Sequence, residues 1–382
     1  MQGFRVVLNT WKGKVRTMAQ AATQRKLLPE DRSNELSPQW RPPDHGATNA
    51  EWARAEFKEA GPLIGEGFLK WLDQRPTSDQ PFLAYLNLME AHTPRIPSRE
   101  AREAVIGDSD RIALGLQTDA AHINLHFYNF GKHDYSEAEL DAINGVYDAT
   151  LWDLDQATHA LFEGLASRGI LDDTVVILTA DHGENLGDHH LFNHRFAMWE
   201  TLLHVPLIVR YPRGLEPSRV RTPVSTSSIF GTVCDLAGIP LPSDPAIQSP
   251  SLRSADLPAP VSFMALPLER EVRSVQQVHP DVEVAPWLRS GHAIHVGDDK
   301  WVEWSNGQAE LYDLRTDRDE RQNLSAVEET RAQQHHRALE NWRKNRKLYD
   351  PDSRGPQDQP KAVRASQADL RNQLKALGYL AD

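Results

Sequence analysis

Cysteine is almost absent from this chain: Cys234 stands alone among 382 residues, which excludes an intrachain disulfide and any zinc ribbon built from CxxC pairs. Long apolar runs are missing as well. No stretch approaches the roughly 18 residues needed to cross a bilayer, so no membrane span is expected. Basic charge is the minority, with 42 Lys and Arg against 54 Asp and Glu and a net charge of −12. Without a long basic run, nucleic acid and anionic membranes are poor partners, and an anionic small substrate would need a locally positive site. No secretory signal is expected from the sequence as given, because its first apolar stretch, Phe4 to Leu8, is too short for one. A cytoplasmic location is the default expectation. The first 29 residues hold Arg5, Lys12, Lys14, Arg16, Arg25 and Lys26 but no acid. That superficially resembles a transit peptide; the preferred reading is a loop region of a longer ancestral chain.

What remains is an ordinary globule, 40% apolar and 25% charged, long enough for a large core and two structural units. The expected division is an irregular leading segment over 1–47, an α/β core over 48–250 and an antiparallel sheet with helices over 251–382. In the core, Trp52, Phe57, Leu63, Phe68, Trp71 and Leu72 predict one or two amphipathic helices, with Gly61-Pro62 marking an interruption. Pro81 to Leu88 reads as an apolar strand running into a loop that carries His92. Residues 95–135 read as an irregular surface excursion. Ser136 and Glu139 form a capping box for a long helix whose apolar stripe continues until Gly169.

The most informative stretch is Thr174-Val-Val-Ile-Leu-Thr-Ala-Asp-His-Gly-Glu184. Its apolar run shows no polar alternation, as expected of a parallel strand covered on both faces. Asp181 and His182 then fall just past the strand's carboxyl end, where open α/β sheets bind ligands. Gly183 permits a sharp turn or a close approach to an ion. The competing reading is a turn whose aspartate caps a helix and whose histidines are on the surface. Histidines 182, 189, 190, 194 and 204 all lie in this region. His189 and His190 are expected to be exposed, and His204 to be packed at a helix end.

Chemically, Asp181 with His182 is a mixed metal signal, since hard cations prefer oxygen and histidine suits transition metals. The pair cannot complete a site alone. Asp172-Asp173 precedes the strand and reads as a turn rather than a ligand pair, and Gly297-Asp298-Asp299 as a hairpin turn. An ester of sulfate or phosphate needs positive donors and an acid for the leaving oxygen. His92, His194 and Arg195 are candidates, and His92 reads equally well as a loop-capping histidine.

Three runs, Tyr147 to Asp155, Gly169 to Glu184 and Val205 to Arg210, together resemble the sulfatase family of the alkaline-phosphatase-like superfamily. Pro81 to Pro94 is similar to that family's histidine-bearing strand and loop. Glu310 to Leu314 with Asn323-Leu324 is similar to its C-terminal subdomain, and Ala376 to Leu380 to its chain end. The resemblance spans about residues 48 to 380. It implies a mostly parallel sheet between helices, followed by a four-stranded antiparallel subdomain. It further implies Asp181 and His182 as metal ligands for a divalent cation, Ca2+ or else Mg2+, with His182 where asparagine is often found. His92 would be an acid or hydrogen-bond donor, and either His194 or Arg195 would occupy the sulfate-binding position. The implied substrate is a sulfate ester of a small molecule or glycan.

The departures are large. The family's paired aspartates on a first strand, and the Cys/Ser-x-Pro-x-Arg motif that yields its formylglycine nucleophile, are not in this sequence. Arg95-Ile-Pro-Ser-Arg99 and Leu215-Glu-Pro-Ser-Arg219 place arginine and leucine where the nucleophile belongs. Cys234 lacks the proline and arginine and reads as a buried helix residue. The expectation is a core with its N-terminal part missing and negligible sulfatase activity. The alternatives are a phosphoester or phosphonate hydrolase of the same superfamily, or a non-catalytic remnant or binding protein.

Overall fold

The computed structural model describes residues 60–75, 80–93, 95–120, 122–242, 247–264 and 269–346. The leading segment 1–47, the residues Trp52 and Phe57, the expected helix 367–377 and the chain end 376–380 lie outside the described residues. The described residues divide into two compact units, with the boundary between Leu171 and Asp172.

In the first unit, α1 (Ala60–Asp73), α2 (Arg99–Val105), α3 (Ser109–Ala120) and α4 (His122–Asn129) precede the long α5 (Glu137–Ser167). Pro62 lies in the first described turn of α1, next to residues outside the described ones. Helix α5 begins as expected. The Ser136 hydroxyl accepts from the Glu139 amide, and the Glu139 carboxylate accepts from the Ser136 amide at 2.8 Å. Its end is set by Gly169 at φ 67°, a left-handed position that suits glycine.

Residues 95–135 are not irregular, as expected from sequence, but carry three helices. Ile112 and Leu116 of α3 pack with Val146 of α5. Gly115 lies between them, and a Cβ there would collide with the Ala142 carbonyl. The helices cross at backbone contact, which explains a glycine in a pattern that otherwise reads as broken. The expected strand over 81–88 forms no ladder among the described residues. Leu83 and Tyr85 are 63% and 77% exposed, while Phe82 is held by edge contacts to Phe68 and Trp71 of α1.

In the second unit, β1 (Val176–Thr179) pairs antiparallel with β4 (Leu207–Arg210), Val176 opposite Arg210 and Thr179 opposite Leu207. All described strands pair antiparallel, so the mostly parallel sheet implied by the sequence is not found among them. A four-residue apolar run fixes burial tendency but not the direction of its partner. The burial is also partial: Val176 to Leu178 are half-buried and Ile208 is 59% exposed.

Between these strands lie the short hairpin β2 (Asn185–Leu186) and β3 (Phe192–Asn193), then α6 (Glu200–Leu203). Beyond β4, α7 (Ser228–Leu236) buries Cys234 as expected. The C-terminal sheet has four antiparallel strands in sequence order: β5 (Val261–Met264), β6 (Gly291–Val296), β7 (Asp299–Trp304) and β8 (Ala309–Asp313). Helix α8 (Glu269–Val278) lies between β5 and β6, and α9 (Glu329–Asn345) follows β8. One face, Ile294, Trp301 and Leu311, packs on Ala332 and Leu339 of α9. The other, Ala293, Val302 and Trp304, packs on Met198 just before α6. The period-two alternation of strands thus gives this sheet two apolar faces with different occupants. Asp299 is not a turn residue as expected but the first of β7, where its carboxylate binds Arg331 and lies 2.7 Å from the His335 ring.

Candidate functional site

Asp181 and His182 follow β1 by two and three residues. The Asp181 side chain is 78% exposed, and the Oδ1 atom accepts from the His182 amide at 3.0 Å. His182 Nδ1 lies 2.7 Å from the Gly183 carbonyl. A carbonyl only accepts, so in the neutral ring Nδ1 carries the proton and Nε2 keeps its lone pair. That Nε2 is 3.8 Å from Asp181 Oδ1. Two ligands at roughly 2.0–2.6 Å from one ion and near right angles lie about 3–4 Å apart, so the donors suit a shared cation. They supply only part of a coordination sphere. No group of three or more His, Cys, Asp or Glu is placed to hold a metal among the described residues.

The hairpin brings His194 to this pair. With Asn185 opposite Asn193, Glu184 and His194 are the next residues out on either strand. The imidazoles of His182 and His194 stack with centroids 4.2 Å apart, and His194 Nδ1 lies 3.6 Å from the nearly buried Glu184 carboxylate. Asp181, His182, Glu184 and His194 therefore form one cluster. Arg195, the next residue, is half-buried. Glu184 was not a sequence candidate, although hairpin register alone would have set it across from His194.

Gly183 is not among the residues with a positive φ. A Cβ there would collide with the Thr201 carbonyl of α6. The gap is closed by two bonds: the amides of Gly183 and Glu184 donate to the carbonyls of Leu202 and Thr201 at 2.8 and 3.0 Å. Asn185, fully buried, accepts from the Thr201 hydroxyl at 2.6 Å and donates to the Asn193 carbonyl at 2.9 Å. The hairpin itself is strained. His189, His190, Asn193 and Phe196 all have positive φ, between 49° and 68°. Non-glycine residues hold such conformations where surrounding contacts over-determine them, as sites often do.

His189 and His190 are exposed as expected, though the His189 ring stacks on Trp199 at 4.0 Å. Burial lowers the His189 pKa from its ordinary value, against the pull of Asp188. His204 does end α6, but it is exposed, correcting the expected packing. Asp172 and Asp173 pair with Arg210 and Arg213 at the far end of β1.

Helix α6 rests on buried charge. Glu200 Oε1 lies 2.8 Å from His295 Nε2 and 3.1 Å from Lys300 Nζ, and Lys300 also pairs with Glu320. The Glu320 carboxylate accepts from the Glu200 amide at 2.6 Å, capping a helix whose own N-cap residue, Trp199, offers no side-chain bond. Burial would raise Glu200, but the His295 contact and Lys300 charge overcome it and hold the carboxyl at about 2. For Glu320 burial prevails over Lys300, and its pKa is raised.

In the first unit, His92 sits on the turn after Met89, half-buried, with Nδ1 2.6 Å from the Thr93 carbonyl and its amide donating to Met89. The same reasoning leaves His92 Nε2 with the lone pair in the neutral ring. Arg95, first residue of the nucleophile-like decoy, is buried on Asp119: its amide and guanidinium donate at 2.6 and 2.5 Å. Ser98 caps α2 and hydrogen-bonds Asp153 at 2.6 Å. These residues hold the turn.

The chain shares its fold with a phosphonate monoester hydrolase of Agrobacterium radiobacter, at a TM-score of 0.61 and 19% identity over 86% of this chain and 69% of that one. The sulfatase family model matches residues 61–239, so this part of the chain is similar to the sulfatase family. It is similar to arylsulfatase K of Bos taurus, 26% identical over 292 residues, covering 68% of this chain and 50% of the relative. It is also similar to an N-acetylglucosamine-6-O-sulfatase of Bacteroides thetaiotaomicron (strain ATCC 29148), 29% identical over 214 residues, covering 54% of this chain and 37% of the relative. The chain thus spans about half the length, or less, of these curated relatives. No helix of the described residues is long and apolar enough to cross a membrane.

Proposed function

We propose that the cluster at the end of β1 is the cation and anion-binding part of a sulfuric ester hydrolase site. The observation that carries this is the meeting of Asp181, His182 and His194 with Glu184 on one strained, tightly anchored hairpin. Asp181 and His182 would hold a divalent cation, Ca2+ or Mg2+, which when bound supplies positive charge to the oxygens of a sulfate ester. His194, backed by Glu184, contacts the anion, and Arg195 adds positive charge beside it. His92, taken by itself in the first unit, is suited to an acid or hydrogen-bond role through Nε2 when its ring is charged. A sulfated sugar is the substrate class favoured by the name of the N-acetylglucosamine-6-O-sulfatase relative.

Arg95 is committed to Asp119 and supplies no nucleophile. Turnover by these 382 residues alone is therefore expected to be negligible. Titration of the full chain with Mn2+ as a spectroscopic probe, and competition by Ca2+, tests the cation site: binding should fall at least about tenfold in Asp181→Ala. Equal affinity in wild type and variant would remove the assignment. Assays with an aryl sulfate and an aryl phosphonate accompany it, the second because the phosphonate monoester hydrolase shares the fold. A sulfatase rate lost in Asp181→Ala would overturn the expectation of negligible turnover, and a phosphonate rate alone would favour that chemistry.

A further inference from the structure

We propose that Lys300, in the C-terminal sheet, is a positioning residue for the Asp181–His182 turn and acts on it through α6. Lys300 is fully buried and far from that turn in sequence, yet two contacts connect them. Its ammonium is gripped by Glu200, the first residue of α6, and by Glu320, which caps the same helix. The next two residues of α6, Thr201 and Leu202, present the carbonyls that hold the amides of Glu184 and Gly183. Because a Cβ at Gly183 would already collide with Thr201, there is no slack at this seam. A shift of α6 must move the turn or break its two bonds.

The geometry is more specific than general packing. A short helix of four residues has little stability of its own, so its position is set by what holds its ends. Here the N-terminal end is held by carboxylates that meet one buried cation. Removing that cation leaves the buried Glu320 carboxylate without its counter-charge and Glu200 with His295 alone, which loosens the helix in its seat. The sheet is held independently by its ladder and by α9 packing, so β7 can remain in place while α6 loosens.

The inference rests on the reading of Asp181 and His182 as cation ligands, and the test separates the two. Amide hydrogen exchange on the full chain is measured for Lys300→Met, Glu200→Gln and the control Glu303→Gln. Glu303 bonds Trp301, His336 and Arg343. Lys300→Met should speed exchange at Gly183 and Glu184 by roughly tenfold or more, and Glu200→Gln by a smaller factor, while Val302 in β7 and Val146 in α5 stay protected. Glu303→Gln should leave the turn unchanged. Mn2+ affinity should fall in step with turn protection. If wild type binds no Mn2+, the ligand reading fails and exchange still decides the positioning role. If Lys300→Met loses protection throughout the sheet, Glu200→Gln, which keeps Lys300 paired with Glu320, decides alone. Wild-type exchange at Gly183 and Glu184 in Glu200→Gln, or a loss equal at every amide, overturns the proposal.

Discussion

The His92 turn and the Asp181 turn each present a half-buried histidine whose Nδ1 meets a nearby backbone carbonyl, but they are held by different forces. Around His92 the anchors are charged side chains reaching across helices. Glu90 accepts from the Gly61 amide at 2.6 Å, Arg95 is sealed against Asp119, and Asp153 accepts from Ser98. Around Asp181 the anchors are backbone bonds and a close fit, with charge entering one layer back, at Glu200 and Lys300. A charge-held turn is sensitive to losing one partner. A backbone-held turn is sensitive to added volume and little affected by surface electrostatics.

The largest effect should come from Asp119→Ala, which strands a buried guanidinium. About 3–5 kcal/mol of stability should be lost, read by urea denaturation, and the His92 amide should exchange faster. A loss under 1 kcal/mol would mean that the pair is dispensable and the contrast false. Next is acid. Glu200 has a folded pKa of about 2 against an ordinary 4.5, so its ionised form stabilises the fold above pH 4.5, and that stability is lost as pH falls toward 2. The shift corresponds to at most about 3 kcal/mol. Glu320, raised by burial, works in the opposite sense, since its ionisation opposes folding as pH rises above its ordinary value. The net loss should be smaller. Protection at Gly183 and Glu184 should weaken between pH 4.5 and 3 in wild type and much less in Glu200→Gln.

Much of the second unit was legible because its signals are local: the run ending at Asp181, the β6–β7 hairpin and the Glu310 to Leu314 strand each announce themselves within a few residues. The Ser136 capping box is equally local. What sequence missed depends on partners. Helix α3 looked irregular because Gly115, which breaks its apolar pattern, is required by contact with Ala142. The direction of β1 and the exposure of Leu83 and Tyr85 depend on which strands lie beside them, and a short apolar run does not encode that. In the site, Asp181 and His182 were visible as a pair after a strand. Glu184 became visible only through hairpin register, and the Lys300 network spans 100 residues and has no local signature.

Steric and polar anchors can be separated by two small substitutions, one at each turn. Gly183→Ala adds one methyl group against the Thr201 carbonyl and should destabilise by roughly 1–3 kcal/mol, with Mn2+ binding falling alongside. An unchanged melting midpoint would show that α6 yields and that the seam is not tight. Ser98→Ala removes the hydroxyl that caps α2 and donates to Asp153, while its amide bond to Asp153 survives. That should lose only about 1 kcal/mol. Because the Arg95–Asp119 pair, nearer to His92 in the chain, still pins the turn, exchange at the His92 amide should change less than twofold. A larger change would place Ser98, rather than Arg95, as the anchor of the His92 turn, and would move that turn from the charge-held class toward the capped one.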